Sequence, residues 1–373
     1  MTRIVLHDYF ESAEGGGKLS LILAKAFEAD LGYGFKTENH PYFEGVLPSV
    51  GERDLGCYSR IPVWRQFRLA RAFQRRTHFM DAYEEAIYSG FYAPMAVFNH
   101  GGQRNFYYCH TPPRFIYDQR SFYLSMIPFW QRPILLGLIS YMKPRYEKAV
   151  ARMDTIIANS ENVRQRLSRY LGCKAIVVYP PCETEHFRWQ GQQGFYLSTA
   201  RLDSLKRVNL IVKAFSKMPD KKLVVTSGGL ELDRLKRLAG DASNITFTDW
   251  VGERELQRLV GNSIATIYVP KEEDFGMSPV ESMAAGKPVI GVAEGGLLET
   301  VVDGETGFLL RPDPREEDII GAIKRMDGSM ALEMRGACEE RAQQFDVKIF
   351  IEKMREVMEK KRLSFVRLTK FWA

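Results

Sequence analysis

Two carboxylates, Glu273 and Glu281, stand eight residues apart in the segment Glu273-Asp274-Phe275-Gly276-Met277-Ser278-Pro279-Val280-Glu281, which runs from a loop into a helix. One acid on the loop and one on the helix can face the same pocket, where a hydroxyl-rich ligand needs acceptors. A local reading competes: Ser278 as N-cap, Pro279 at the first helical position and Glu281 at the third make a capping box. Upstream, Arg201-Leu202-Asp203-Ser204-Leu205-Lys206 follows a short apolar run. An arginine and a lysine after a buried strand can clamp two phosphates and neutralise the charge that builds on a departing nucleotide. Taken alone, they are also two surface cations at a strand end.

His110 lies in Tyr107-Tyr108-Cys109-His110-Thr111-Pro112-Pro113-Arg114, where the prolines end a strand. The corner fixes the imidazole at the sheet's carboxyl edge. The run Gly15-Gly16-Gly17 is not a phosphate loop of the Walker type, because Ser12 stands where glycine is needed and Leu19 follows Lys18 where a hydroxyl should meet magnesium. It also lacks G-x-G-x-x-G spacing. What remains is a glycine turn, either simply tight or open to close approach by a phosphate or sugar.

These residues are placed by alternating strands and helices. Ile4 to His7 reads as a strand, Leu19 to Phe27 as a helix, Asn105 to Cys109 as a strand. A helical, aromatic-rich stretch from Ile116 to Ala151 is broken by Pro128, Pro133 and Pro144, and suits an acceptor site, a membrane contact or core packing. Asp154 to Ala158 is a strand, Asn159-Ser160 caps a helix from Glu161, and Ala175 to Tyr179 is a short buried strand before the linker Pro180-Pro181. The rhythm then restarts: strands at Gly194–Thr199, Lys222–Thr226, Ile245–Phe247, Ile264–Val269 and Val289–Val292 alternate with helices at Val208–Ser216, Leu230–Leu238, Glu253–Val260 and Pro279–Ala285. Such alternation builds parallel sheets covered by helices on both faces.

Length and composition agree with two domains. The chain has 373 residues, 45% hydrophobic and 26% charged, enough for two cores. No apolar run reaches the roughly 18 residues of a membrane span, and no signal-peptide pattern opens the sequence, so a cytoplasmic location is expected. Five scattered cysteines (Cys57, Cys109, Cys173, Cys182, Cys338) form no C-x-x-C pair, which speaks against disulfides and a zinc site. His7, His40, His78, His100 and His186 show no metal spacing, and no D-x-D segment occurs; with Arg201, Lys206 and a helix terminus to neutralise charge, no metal or other cofactor is expected.

The net charge of +6 is unevenly placed. Between Arg60 and Arg76 six arginines and no acid are interleaved with Trp64, Phe67 and Phe73, and Lys360 to Ala373 adds five cations beside Phe365, Phe371 and Trp372. Two readings stand: peripheral contact with an anionic lipid surface, or solvated helix faces whose aromatics pack inward. No nucleic-acid module accompanies the charge.

The Glu273–Ile290 segment, with Gly295-Gly296-Leu297-Leu298-Glu299-Thr300-Val301 and Asp303-Gly304-Glu305-Thr306-Gly307-Phe308-Leu309, resembles the family 4 retaining glycosyltransferases and their E-x7-E motif. The resemblance is strongest from Ala200 to Leu310. It implies a GT-B fold, two doubly wound Rossmann-like α/β domains facing across a cleft: residues 1–180 on the acceptor side, 181–346 binding the nucleotide sugar, and a helix from 347 to 373 crossing back. It implies that Glu273 contacts the transferred sugar and Glu281 the ribose. Arg201 and Lys206 would hold the diphosphate, while Gly16, Gly17, Trp250, Val251, Phe275, Gly276, Met277 and Ser278 line the donor. Bacterial polysaccharide-building members carry a similar Cys-His-Thr-Pro segment whose histidine lines the sugar pocket, so His110 takes the sugar hydroxyls or the acceptor side.

The expected activity is metal-independent transfer of a hexose, with retention, from a nucleotide-diphosphate sugar. GDP-mannose is the leading donor and a UDP-hexose the alternative. The acceptor is a saccharide, with a polyprenyl-diphosphate carrier as one form, in cell-surface polysaccharide assembly such as lipopolysaccharide. A sugar-nucleotide epimerase of the same fold would act without an acceptor; a non-catalytic nucleotide-sugar-binding partner would bind donor without turnover.

Overall fold

The computed structural model describes residues 2–12, 14–38, 40–43, 51–101 and 104–369, with side chains except at 62 and 360–369. The chain divides into two compact units, residues 1–179 with 351–373, and residues 180–350.

The first unit holds strands β1 (Arg3–His7), β2 (Asp30–Tyr33), β3 (Glu52–Asp54), β4 (Glu85–Ser89), β5 (Arg104–Cys109), β6 (Thr155–Ala158) and β7 (Ile176–Val177). They form one parallel sheet in the order β3-β2-β1-β4-β5-β6-β7. The central strands are buried on both faces, as Glu-Ala-Ile-Tyr-Ser of β4 is along its whole length, which is why they read as continuous rather than alternating apolar runs. Register sets Arg3, Glu85 and Arg104 abreast at the amino edge. The buried Glu85 carboxylate is satisfied there by Arg3 at 2.7 Å and Arg104 at 2.9 Å.

The second unit repeats the plan with β8 (Phe195–Ser198), β9 (Lys222–Val225), β10 (Ile245–Phe247), β11 (Thr266–Ile267), β12 (Val289–Val292) and β13 (Gly307–Leu310), ordered β10-β9-β8-β11-β12-β13. In both sheets the chain first winds outward one way and then reverses: at β1/β4 in the first, at β8/β11 in the second. In open α/β sheets the loops leaving the strands' carboxyl ends at such a reversal part and leave a crevice for ligands.

Four local expectations differ from the structure. The glycine run is not a turn before a helix but the helix's own first turn, Gly15–Ala26; a side chain on Gly17 would come within 3.0 Å of the Phe10 ring. Ser278 and Glu281 form no capping box. The helix starts at Met277, and its N-cap is Gly276 at φ +95°, without a side-chain cap bond, a conformation that glycine adopts without steric cost. The strand at Ile264–Val269 shrinks to Thr266–Ile267, although the Ile264 and Tyr268 amides still donate to the carbonyls of Phe195 and Ile290 on its two neighbours. Ala175–Tyr179 is a two-residue edge strand with Ile176 48% exposed rather than a buried one. Sequence reading also missed β3, whose Glu52, Arg53 and Asp54 are all exposed at the sheet edge.

No described helix is long and apolar enough to cross a membrane. The basic aromatic tail from Lys360 to Ala373 lies outside the residues whose side chains are described.

Candidate functional site

In the second unit, the loop leaving β8 and the loop leaving β11 converge at the reversal of strand order. Asp203 nucleates the first. Its carboxylate accepts from the amides of Leu205 and Lys206 at 3.0 and 3.2 Å, capping the single turn Ser204–Lys206, and this aims Lys206 across to the second loop. There Lys206 Nζ lies 2.5 Å from Glu273 Oε2 and 3.1 Å from the Tyr268 hydroxyl. The Tyr268 hydroxyl donates to the same Glu273 oxygen at 2.8 Å.

The electrostatics of this trio follow from its seclusion. Burial would raise the Glu273 carboxyl, but the Lys206 ammonium, the Tyr268 hydroxyl and the Asp274 amide outweigh it and hold its pKa below the ordinary carboxylate value. Burial would lower Lys206, and the interactions with Tyr268 and Glu273 raise it instead. Burial and the Glu273 charge push the Tyr268 phenol up, so it stays a donor. The site therefore presents an ammonium and a carboxylate, both ionised.

Arg207 laces the loops together. It sits in the left-handed region at φ +51° and its buried guanidinium donates to the carbonyls of Val269 at 2.7 Å and Pro270 at 2.6 Å and to Glu294 at 3.0 Å. The Lys271 amide donates to the Leu205 carbonyl at 2.7 Å. Glu294 also accepts from the Glu272 amide. The Gly296 amide donates to the Glu273 carbonyl at 2.8 Å, and a Cβ on Gly295, at φ +57°, would fall 2.3 Å from that same carbonyl oxygen. Gly295 is thus glycine because the Glu273 backbone occupies the space, and Gly296 because the backbone of Asp274 and Phe275 does.

The remaining candidates are placed less uniformly. Arg201 is exposed, with Asp203 3.4 Å away; it is not part of the Lys206–Glu273 contact. Glu281 is half-buried in the second turn of Met277–Ala284. Met277 and Ser278 are half-buried at that helix's start. Phe275 is buried, edge-on to Phe345 with ring centroids 5.4 Å apart, so its side chain belongs to the core. Trp250 is 67% exposed and lies over the end of β9, where a Cβ on Gly228 would meet its indole nitrogen at 2.2 Å; Val251 beside it is half-buried.

In the first unit, His110 follows β5 and its Nε2 lies 2.8 Å from Ser89 Oγ at the end of β4. Ser89 continues to Ser20 Oγ at 2.8 Å, and Ser20 to His7 Nδ1 at 3.0 Å. Burial lowers the His110 pKa to about 4; burial, then the neighbouring His110, lowers His7 to about 3. Both rings are neutral at physiological pH. Gly16 stands against this chain: a Cβ there would lie 3.4 Å from His110 Nε2. Gly17 packs on Phe10, away from the imidazole.

Sequence reasoning missed Tyr268, Arg207, Ser20 and Ser89. Tyr268 falls inside a strand expected from the sequence, and no motif singles out Arg207, Ser20 or Ser89. It also missed that Glu183, His186 and Glu253 bring three metal-ligating side chains within 4.8 Å of one another, because the third comes from a helix 67 residues on. The five cysteines are free, four of them buried.

Comparison with known proteins identifies this architecture. Residues 183–345 match the family described as Glycosyl transferases group 1. The chain is 28% identical over 258 residues to the alpha-1,3/1,6-mannosyltransferase ALG2 of Dictyostelium discoideum, covering 56% of this chain and 59% of that protein. It is 26% identical to the mouse protein of that name, covering 57% of each. The match thus spans less than two thirds of the length of these relatives. Among solved structures, the sucrose-phosphate synthase of Thermosynechococcus elongatus superposes with a TM-score of 0.78 at 17% identity, covering 98% of this chain and 100% of that one. Anabaena HepE in complex with UDP and glucose gives 0.73 at 16%, over 96% and 99%. The glycosyltransferase WaaG, involved in lipopolysaccharide biosynthesis, gives 0.73 at 11%, over 95% and 99%. With two Rossmann-ordered parallel sheets, and with the Lys206–Glu273 contact inside the matched segment, the chain is a GT-B protein whose second unit belongs to the group 1 glycosyl transferases.

Proposed function

We propose that the protein transfers a hexose from a nucleotide-diphosphate sugar to a saccharide acceptor. The observation that carries this reading is the Lys206–Glu273–Tyr268 cluster at the point where β8 and β11 part. A cation and an ionised acid held side by side suit a donor in which an anionic diphosphate adjoins a hydroxyl-rich sugar. In the proposed complex Lys206 turns to the diphosphate and stabilises the charge that grows as the glycosidic C–O bond breaks. Glu273 accepts hydrogen bonds from the sugar hydroxyls, and Glu281 from the ribose. Arg201, exposed on the same loop beside Asp203, joins Lys206 at the diphosphate. His110, neutral and anchored by Ser89, offers its imidazole to a sugar or acceptor hydroxyl.

The transfer proceeds with retention by front-face attack: the acceptor oxygen bonds to the anomeric carbon as the nucleoside diphosphate leaves, and the departing phosphate takes the acceptor's proton. Charge neutralisation by Lys206, Arg201 and the amides at Met277–Ser278 replaces a metal. GDP-mannose is the proposed donor; the names of the ALG2 relatives support mannose, whereas the UDP and glucose bound to HepE keep a UDP-hexose as the alternative. A polyprenyl-diphosphate-linked saccharide is the proposed acceptor, placing the protein at the cytoplasmic face of the membrane in cell-surface polysaccharide assembly.

A panel of GDP- and UDP-sugars tests this by thermal stabilisation, since a ligand that binds the native state raises its Tm, followed by transfer assays with the stabilising donor. The reading requires a Tm rise with at least one nucleotide sugar, its loss in Lys206→Ala, product with the donor's anomeric configuration, and full activity in EDTA. No stabilisation by any member of the panel rejects it. Nucleotide release that is equally fast with and without acceptor indicates an epimerase or hydrolase instead.

A further inference from the structure

Between residues 120 and 137 the first unit carries ten large apolar side chains in eighteen positions, and none of the eighteen residues is buried. Phe129 is 78% exposed, Trp130 61%, Met126 56%, Ile134 52% and Tyr123 37%. Soluble surfaces scatter such residues singly; a contiguous set marks a surface that meets something apolar.

The segment is a shaped element. A helix, Arg120–Met126, leads through Pro128 into one 3-10 turn, Phe129–Gln131, and then into the long helix Arg132–Val150. Its tip is closed by Arg132 Nε donating to the Leu124 carbonyl at 3.0 Å and by the Gln131 amide donating to the Pro128 carbonyl at 2.9 Å. The long helix meets the core first at the half-buried Leu135 and enters it through the buried Leu138, Ile139, Met142 and Tyr146.

Charge narrows what covers it. No acid occurs from Gln119 to Tyr146, while Arg120, Arg132, Lys143 and Arg145 do. The long helix also packs against the arginine-rich helix Pro62–Arg75 through Phe67 and Tyr141, with ring centroids 4.6 Å apart. That helix leaves Arg71, Arg75 and Trp64 exposed. An apolar, aromatic tip ringed by cations is complementary to the interface of an anionic bilayer, where Trp and Tyr rings sit at headgroup depth and cations meet lipid phosphates.

We propose that residues 120–137 form a lipid-docking tip, with Phe129 and Trp130 inserting into an anionic membrane surface and the neighbouring arginines binding its headgroups. The segment starts ten residues after His110, so docking sets the carboxyl edge of the first sheet near the lipid. The inference rests on the transferase reading only for its purpose, the presentation of a lipid-anchored acceptor; the binding itself stands on exposure and charge.

Flotation of the full chain, without any nucleotide sugar, on vesicles of phosphatidylcholine alone and of phosphatidylcholine mixed with phosphatidylglycerol tests it. The wild type is expected to float with the mixed vesicles only, less as salt rises. The double variant Phe129→Ser/Trp130→Ser should lose at least about tenfold in vesicle affinity, and Arg71→Gln/Arg75→Gln should weaken binding and flatten its salt dependence. Retained Tm in both variants shows that folding is intact. Wild-type protein that floats with neither vesicle, or a Phe129/Trp130 variant that floats like wild type, overturns the proposal. Because no donor is present, this outcome is independent of the nucleotide-sugar panel, and either result can fail while the other stands.

Discussion

Lys206 and Glu273 meet at 2.5 Å across 67 residues of sequence, each at the end of a loop that leaves a different strand beside the reversal of sheet order. The Tyr268 hydroxyl sits on both, 3.1 Å from the ammonium and 2.8 Å from the carboxylate. The contact is thus at once a structural clasp and the polar surface offered to a ligand.

Removing one member should separate those two roles. Lys206→Met leaves the Glu273 carboxylate secluded without its counter-charge, a loss on the order of 3–5 kcal/mol for a buried pair; the solvent that still reaches both groups makes the lower end the expected value. Lys206→Met/Glu273→Gln should recover most of that stability. Neither variant should recover activity, with kcat down about a hundredfold or more. Urea titrations alongside nucleotide-release assays measure both, and a double variant as active as wild type contradicts the assigned roles.

Tyr268→Phe removes one donor from Glu273 without altering volume. The carboxyl pKa, held below its usual value by Lys206 and Tyr268 together, should move up. Its ionised form is what binds, so activity is present above that pKa and lost as pH falls through it. The acid limb of the kcat/KM profile should shift to higher pH while activity near pH 8 falls by less than about tenfold. A uniform drop with no shift of the limb would mean that Tyr268 serves packing alone.

His7 and His110 are held neutral, with pKa values of about 3 and about 4 against 6.5 for the unfolded chain. A depressed pKa contributes stability that is complete above the unfolded value and is lost as pH falls toward the folded one. Between pH 6.5 and about 4 the unfolded state takes up protons that the native state refuses, so unfolding free energy should fall by up to about 1.4 kcal/mol per pH unit for each ring. Urea midpoints at pH 7 and pH 5 check this. His7→Gln should remove roughly half of the slope.

Gly295→Ala should cost more than about 1 kcal/mol for the left-handed backbone alone, with the added methyl falling 2.3 Å from the Glu273 carbonyl oxygen. The loop must shift to admit it. We expect loss of donor-induced thermal stabilisation even where the variant remains folded, because Glu273 moves with its backbone.

Much of this arrangement is legible in sequence, and the failures have physical causes. The helix Val208–Ser216 and the strand Ile245–Phe247 fall where periodicity puts them, since their apolar faces alone decide them. The Glu273 and Lys206 motifs single out two loops, but spacing along the chain cannot show that the two side chains touch. Tyr268 was unreadable because an aromatic after a strand is ordinarily core, and only the neighbouring loop gives its hydroxyl partners. The capping box at Ser278 failed because Gly276 takes up the left-handed N-cap position two residues earlier. The inward turn of the Phe275 ring onto Phe345 was not legible either, because a linear motif does not show which of its side chains face the core.

Arg207 binds the carbonyls of Val269 and Pro270 from the loop that carries Lys206. The two loops consequently drift as one body: an insertion or strained residue in either is transmitted to the other, and a chain tuning itself to a new donor would have to rewrite both stretches together.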